Sequence, residues 1–269
     1  MRIAIGNHKG GSGKTAAAIG LAAALAELER RVLVVDLDPQ ANASRRMGVR
    51  VDPVHPIPTI SEAIRASQAG DAPGAAAEAI VAPGWPEPYR DRIGLIPSRF
   101  DLENRISEAA TVGAVGRLRR ALDGVDSDYD VTLIDCPPSL GHLTQLALAA
   151  ADAAVAVLDP EYDSVEGAVR LRDFVATAAA ELGNPTLRMA GVIVSRVRAQ
   201  LGAHSFQLDG LADLFGPELV WSPVIPERAV VKDAADAAIP VAALGSVAAA
   251  GVAEIYRDLA ARLLKEVSR

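Results

Sequence analysis

Apolar and polar positions along this chain follow two alternating periods. Short, mostly β-branched runs stand at Arg2-Ile3-Ala4-Ile5-Gly6, Arg31 to Asp36, Ile93 to Ile96, Val131 to Ile134, Ala153 to Leu158, Ala190 to Val194 and Leu219 to Ile225. Each reads as a strand buried on both faces. Between them lie proline-free, Ala- and Leu-rich stretches at Thr15 to Leu28, Gly113 to Leu122 and Val165 to Leu182, which read as helices. A further helical stripe, Val252, Ile255, Tyr256, Leu259 and Leu263, is expected to pack on the sheet. Strands alternating with helices predict an α/β fold: a single doubly wound, mostly parallel sheet flanked by helices. Residues 50–90 break the rhythm. Pro53, Pro56, Pro58, Pro73, Pro83, Pro86 and Pro88 predict a proline-rich surface excursion with one short helix from Ser61 to Gln68. Residues 1–269 thus read as one domain.

Composition narrows the class. The 269 residues are 50% hydrophobic but only 4% aromatic, so Ala, Val, Leu and Ile must build the core. A formal charge of 27 − 34 = −7 argues against a protein that coats nucleic acid with a generally basic surface. The single cysteine, Cys136, excludes an intramolecular disulfide and any metal site needing two thiolates from one chain. The apolar run Ala16 to Ala26 is too short to span a bilayer. With no secretory pattern before the first strand, a cytoplasmic location is expected.

The candidate chemistry begins directly after the first strand, at Lys9-Gly10-Gly11-Ser12-Gly13-Lys14-Thr15. Glycines let successive backbone N–H groups turn inward around an anion. Lys14 is placed to reach the β- and γ-phosphates of a nucleotide, and the Thr15 hydroxyl to hold Mg²⁺. The following helix would point its N-terminus at the phosphates. The usual loop has Gly where this chain has His8, and it gains a second cation, Lys9, five residues before Lys14. Two acidic groups end strands: Asp36-Leu37-Asp38 and Asp135. Ligand sites of open α/β sheets lie beyond the carboxyl ends of strands, so Asp38 and Asp135 are expected to serve a metal or an attacking water. Spaced by two in an extended segment, the carboxylates of Asp36 and Asp38 would point the same way.

Three segments together, Lys9 to Thr15, Val35-Asp36-Leu37-Asp38-Pro39-Gln40-Ala41-Asn42 and Leu133 to Gly141, closely resemble the ParA-type partition ATPases of the deviant Walker A class. Ile96-Pro97-Ser98, Glu161 to Gly167 and Val224-Ile225-Pro226 extend the resemblance to nearly the whole chain apart from the excursion. It implies an ATPase using ATP and Mg²⁺, with Gly10, Gly11, Ser12, Gly13, Lys14, Thr15 and Ala16 around the phosphates. Lys9 would be a signature lysine reaching the partner's ATP across a sandwich homodimer. Asp38 would orient the attacking water beside the metal, and Asp135 would support the Mg²⁺ shell. Glu161 to Gly167 would lie at the dimer face. Ser195, Arg196, Pro226 and Glu227 would border the adenine, and Arg196, Arg198, Arg228 and Lys232 would contact non-specific duplex DNA. The resemblance further implies weak hydrolysis stimulated by a ParB-like DNA-binding adaptor, and association with the nucleoid when ATP is bound.

Departures from that pattern sharpen the expectations. Ala16 stands where the family usually has Thr, which removes a hydroxyl near the α-phosphate; Ser195 stands where many relatives have Asn. The run after Pro226 is less basic than is common. No N-terminal helix-turn-helix segment is seen, so operator binding is not expected. Two other classes share the engine: a MinD-like ATPase acting on membrane through its C-terminal helix, and an ATPase that positions an organelle or protein cluster. The mixed charges beside the C-terminal stripe, Glu254, Arg257, Asp258 and Lys265, fit a packed helix better than a lipid-bound one.

Overall fold

In the computed structural model, which describes residues 1–52, 54–68, 70–198 and 200–267, the apolar runs assemble into one six-stranded sheet. Its strands are β1 (Arg2–Gly6), β2 (Val32–Asp36), β3 (Ile93–Ile96), β4 (Val131–Asp135), β5 (Ala153–Leu158) and β6 (Arg188–Val194), in the order β3-β2-β4-β1-β5-β6. Every ladder is parallel. Alternation along each strand divides the core in two. Leu33 and Val35 face the cluster that also holds Ala4 and Ile134, whereas Val32 and Val34 face the one with Ile3 and Ile5.

Helices cover both faces. α1 (Lys14–Glu27) and α10 (Val247–Val267) lie on one; α3 (Ile60–Arg65), α5 (Arg117–Ala121), α6 (His142–Ala150), α7 (Tyr162–Ala178) and α8 (Gly202–Phe215) lie on the other. α1 can be so rich in alanine because it is wedged between sheet and α10, where small side chains allow close approach. Gly20 has no room for a Cβ, since the Tyr256 ring occupies that space. The stripe expected at the C-terminus is buried at Val252, Tyr256, Leu259 and Leu263, and it packs chiefly on α1.

Boundaries differ in instructive ways. The expected strand Leu219 to Ile225 is not one. Val220 and Pro226 make single parallel bridges to Val192 and Val197, with Ser222-Pro223 between them. Proline offers no N–H, so a continuous ladder cannot form there. The expected helix Gly113 to Leu122 divides into a 3₁₀ turn, Ala114–Gly116, and α5. The helix expected from Ser61 is shorter, α3, and starts with a reciprocal cap between Thr59 and Glu62. The one expected from Val165 to Leu182 is α7, which begins three residues earlier and ends at Ala178.

The expected excursion at residues 50–90 is anchored to the domain. Ile60, Ala63 and Ile64 enter one core, while Trp85 and Tyr89, the latter opening α4 (Tyr89–Arg92), enter the other. Pro53, among the prolines that marked the excursion, lies outside the described residues.

Candidate nucleotide site

The loop between β1 and α1 sits at the carboxyl edge of the sheet, where β1 lies between β4 and β5. Gly11 and Gly13 adopt φ of 80° and 94°, which side-chain-bearing residues rarely hold, and the Gly13 position is also closed to a Cβ by the Ser195 hydroxyl. Asn7 fixes the entrance. It donates to the carbonyls of Val157 (2.9 Å) and Ser164 (3.0 Å) and accepts from the Lys9 N–H (2.9 Å). Ser195 donates to the Ser12 carbonyl (2.7 Å), and Arg196 donates to that of Gly11 (2.6 Å). Arg196 holds φ at 56°, an uncommon backbone for a non-glycine residue.

The two loop lysines occupy different environments. Lys14 is buried, 6% exposed, and its Nζ donates to the Lys9 carbonyl at 2.9 Å. Burial lowers its pKa, and the nearby Asp135 carboxyl opposes that shift. The Lys9 side chain is half-exposed and has no hydrogen-bond or ion-pair partner among the described residues.

Gly167 of α7 crosses this loop so closely that a Cβ there would collide with Asn7 Oδ1 and come within 3.2 Å of the Lys9 nitrogen. We expect Gly167→Ala to displace Asn7 and weaken nucleotide binding at least tenfold, as calorimetry can measure. Gly210→Ala, with nothing within 4 Å of its Cβ position, should not.

The carboxylates divide the work. Asp36 and Asp135 sit opposite each other on β2 and β4, both fully buried. Asp36 accepts from the Ser44 N–H and hydroxyl (2.8 and 2.7 Å), so it holds α2 (Asn42–Arg46) and does not line the cleft. Asp38 does line it. One Asp38 oxygen accepts from the Gln40 N–H (2.9 Å). Asp36 and Asp38 therefore do not serve one ligand together, although the Asp38 N–H donates to Asp36 (3.2 Å).

Among the described residues, neither oxygen of Asp135 has a hydrogen-bond partner. Burial, reinforced by the Asp36 charge, raises its pKa strongly; Thr15 and Lys14 pull it back without a regular hydrogen bond to either oxygen. A carboxylate buried and orphaned beside the loop suits a hard divalent cation. Among the described residues no cluster of three or more His, Cys, Asp or Glu could hold a metal alone. A cation here would therefore draw further oxygens from phosphate and water, as Mg²⁺ commonly does.

A raised native pKa means that stability falls as pH rises from the ordinary carboxylate value toward the raised one. At neutral pH, Asp135→Asn should then stabilise the nucleotide-free protein by about 1–3 kcal/mol. The same change should erase the Mg²⁺-dependent part of the stabilisation by ATP. Thermal unfolding with and without Mg²⁺ measures both.

A cleft of about 600 Å³ gathers most of the expected site. Gly10, Gly11, Gly13, Lys14, Thr15, Ala16 and Asp38 line it together with Ser195, Arg196, Pro226 and Glu227. Ser12, by contrast, is fully buried with its hydroxyl unpartnered, and presents its carbonyl to Ser195. The four expected DNA cations differ in their charge partners. Arg196 and Arg198 both pair with Glu227, Arg196 at 3.4 Å. Arg228 and Lys232, at the start of α9 (Ala229–Ala237), are exposed, line the cleft and make no ion pair among the described residues. Glu161 meets His204 at 3.3 Å, which ties the expected dimer segment to α8.

Motif reading passed over Asn7, Arg46 and Tyr256. Asn7 holds the loop by tying it to Val157 and Ser164, at least 150 positions away in sequence, and Arg46 and Tyr256 enter the cleft from α2 and α10.

The family model described as AAA domain matches residues 1–189. The chromosome-partitioning ATPase Soj of Thermus thermophilus is 38% identical over 243 residues, covering 87% of this chain and 84% of that protein. A cobyrinic acid a,c-diamide synthase from Mycobacterium smegmatis, solved with a bound ATP analog and magnesium, superimposes with a TM-score of 0.77 at 28% identity, over 98% of this chain and 94% of that one. In fold, the chain is also similar to a Cyanothece McdA in complex with ATP (TM-score 0.83, 22% identity, 97% and 95% covered). With a phosphate-binding loop, strand-end carboxylates and a Soj-like sequence across most of its length, the chain belongs to the AAA domain family and, within it, to the ParA/Soj-type partition ATPases.

Proposed function

We propose that this ATPase partitions DNA by ATP-gated dimerisation, the ATP-bound homodimer binding duplex DNA without sequence preference. Its cofactors are ATP and Mg²⁺. The observation that carries the reading is the orphaned Asp135 carboxylate, buried behind Thr15 and Lys14, which themselves line the cleft. Lys14 would bind the β- and γ-phosphates, while Thr15, with Asp135 and Asp38 nearby, would hold Mg²⁺, which neutralises phosphate charge when bound. Lys9, without a side-chain partner among the described residues, would reach the partner's nucleotide and stabilise transferring charge in trans. Asp38 would orient the attacking water. Ser195, Arg196, Pro226 and Glu227 would border the adenine.

DNA contact would rest mainly on Arg228 and Lys232, because Arg196 and Arg198 share the charge of Glu227. Few cations per monomer mean weak binding, and a dimer doubles them on one particle. Hydrolysis would be slow alone and faster with a ParB-like adaptor. A membrane role finds little support: the α10 stripe is spent on α1, and no helix of the described residues is long and apolar enough to cross a bilayer. We expect the protein in the cytoplasm, on the nucleoid when ATP-bound.

Gel shifts of random-sequence duplex at low salt test this reading, using Asp38→Ala to hold the ATP state. Binding should require ATP, fall steeply with salt, and weaken about tenfold or more on Arg228→Glu or Lys232→Glu. Equal binding without ATP, or none with it, would refute the DNA role.

A further inference from the structure

The cleft contains an arginine outside every motif that marks the loop. Arg46 ends α2, where the Trp85 indole N–H donates to the Arg46 carbonyl (3.1 Å) and fixes the backbone. Its side chain is half-buried and lines the cleft with Gly13, Lys14, Thr15, Ala16 and Tyr256. Among the described residues the guanidinium makes neither an ion pair nor a hydrogen bond. The carboxylate of Glu27, which shares an adjoining apolar hollow with Arg46, is committed to Tyr89 (2.6 Å) and Arg257 (3.0 Å). The Arg46 charge acts on the Tyr256 phenol, whose hydroxyl donates to the Ala16 carbonyl (3.2 Å). That places the guanidinium near the first turn of α1. Ala16 has only a methyl group there, and Tyr256 has already placed its proton, so the side-chain donors of the turn are Lys14, assigned to the β- and γ-phosphates, and Thr15, assigned to Mg²⁺.

We propose that Arg46 is a nucleotide-binding residue whose guanidinium takes the α-phosphate of ATP or ADP where it leaves the loop along the first turn of α1. This rests on the nucleotide reading above. A planar fork of donors held in a part-buried cleft, without an acceptor of its own, matches two oxygens of one phosphate. The α-phosphate is common to ATP and ADP, so this contact sets affinity for both. Discrimination between them stays with the groups that meet the γ-phosphate.

Calorimetric titration of the full chain with ATP and with ADP, each with Mg²⁺, tests the assignment. Arg46→Ala should weaken both nucleotides by the same factor, about 10- to 100-fold. Arg46→Lys should recover only part, because a point charge lacks the fork. Ala16→Thr added to Arg46→Ala should also recover part, by placing a hydroxyl at the same turn. Thermal unfolding without nucleotide, unchanged within a few degrees, separates lost contact from lost fold; Arg46→Lys serves if the alanine variant unfolds. Parent-like affinity in Arg46→Ala, or a loss confined to ATP, overturns the assignment. A parent chain that binds neither nucleotide overturns the nucleotide reading and this inference together.

Discussion

Lys9→Ala should leave nucleotide binding measurable and abolish the ATP-dependent dimer. Two features separate this lysine from its neighbour. Lys14 is buried and tied to the Lys9 carbonyl, which an alanine at position 9 still provides. The Lys9 ammonium has no partner among the described residues, so its removal costs the isolated subunit nothing that the structure shows. In the proposed sandwich each ammonium would meet the other subunit's phosphates, so two charged hydrogen-bonding contacts are lost per dimer. At about 1.5–3 kcal/mol each, the dimer Kd should rise about 10²- to 10⁴-fold. ADP lacks the γ-phosphate and should leave the parent chain monomeric, with two cationic loops facing each other. Light scattering across protein concentration, with ATP and with ADP, measures this. An equally stable dimer in Lys9→Ala, or with ADP, would sink the trans role.

Asp38→Ala should bind ATP and dimerise like the parent while its turnover falls about 10²- to 10⁴-fold. Asp38 spends one oxygen on the Gln40 N–H, and the other has no protein partner among the described residues. It also lines a second cavity of about 250 Å³ with Gln40, Glu103, Ser139 and His142, so it stands between the nucleotide cleft and a further space. A carboxylate placed there can orient water without carrying the phosphates. Lys14→Ala should fail earlier, at binding, because its ammonium is the buried cation of the loop. Phosphate release measured beside fluorescent-nucleotide binding distinguishes the two. Turnover close to the parent in Asp38→Ala would remove the water-orienting assignment.

The same site shows how far residue patterns reach. The loop was legible because its chemistry is local: glycines that free the backbone and a lysine and threonine that follow directly. The positions of Asp38 and Asp135 at the carboxyl edge of the sheet were legible because Asp135 ends an apolar strand and Asp38 follows one by two residues. The contrast between Asp36 and Asp38 was not, since spacing alone put both on one side, and Ser44 claims Asp36 only after α2 has formed. The pairing of Arg196 and Arg198 with Glu227 was equally hidden, because it depends on the segment after β6 lying beside residues 220–227.

Sequence by itself determined the α/β class and five of the six strands nearly to the residue, together with the loop, because hydrophobic period and turn chemistry act over a few positions. It could not distinguish the apolar run at 219–225 from a strand, since the proline that interrupts the ladder matters only once β6 is alongside. Tertiary structure alone decided the order β3-β2-β4-β1-β5-β6, which puts Asp36 opposite Asp135, brings Val157 and Ser164 to Asn7, and brings Ser195 and Arg46 to the loop that follows it. It also decided the environment of each charge. Among the described residues the half-exposed Lys9 ammonium and the buried Asp135 oxygens are both without a hydrogen-bond partner, because environment depends on what packs around a group and not on its neighbours in the chain.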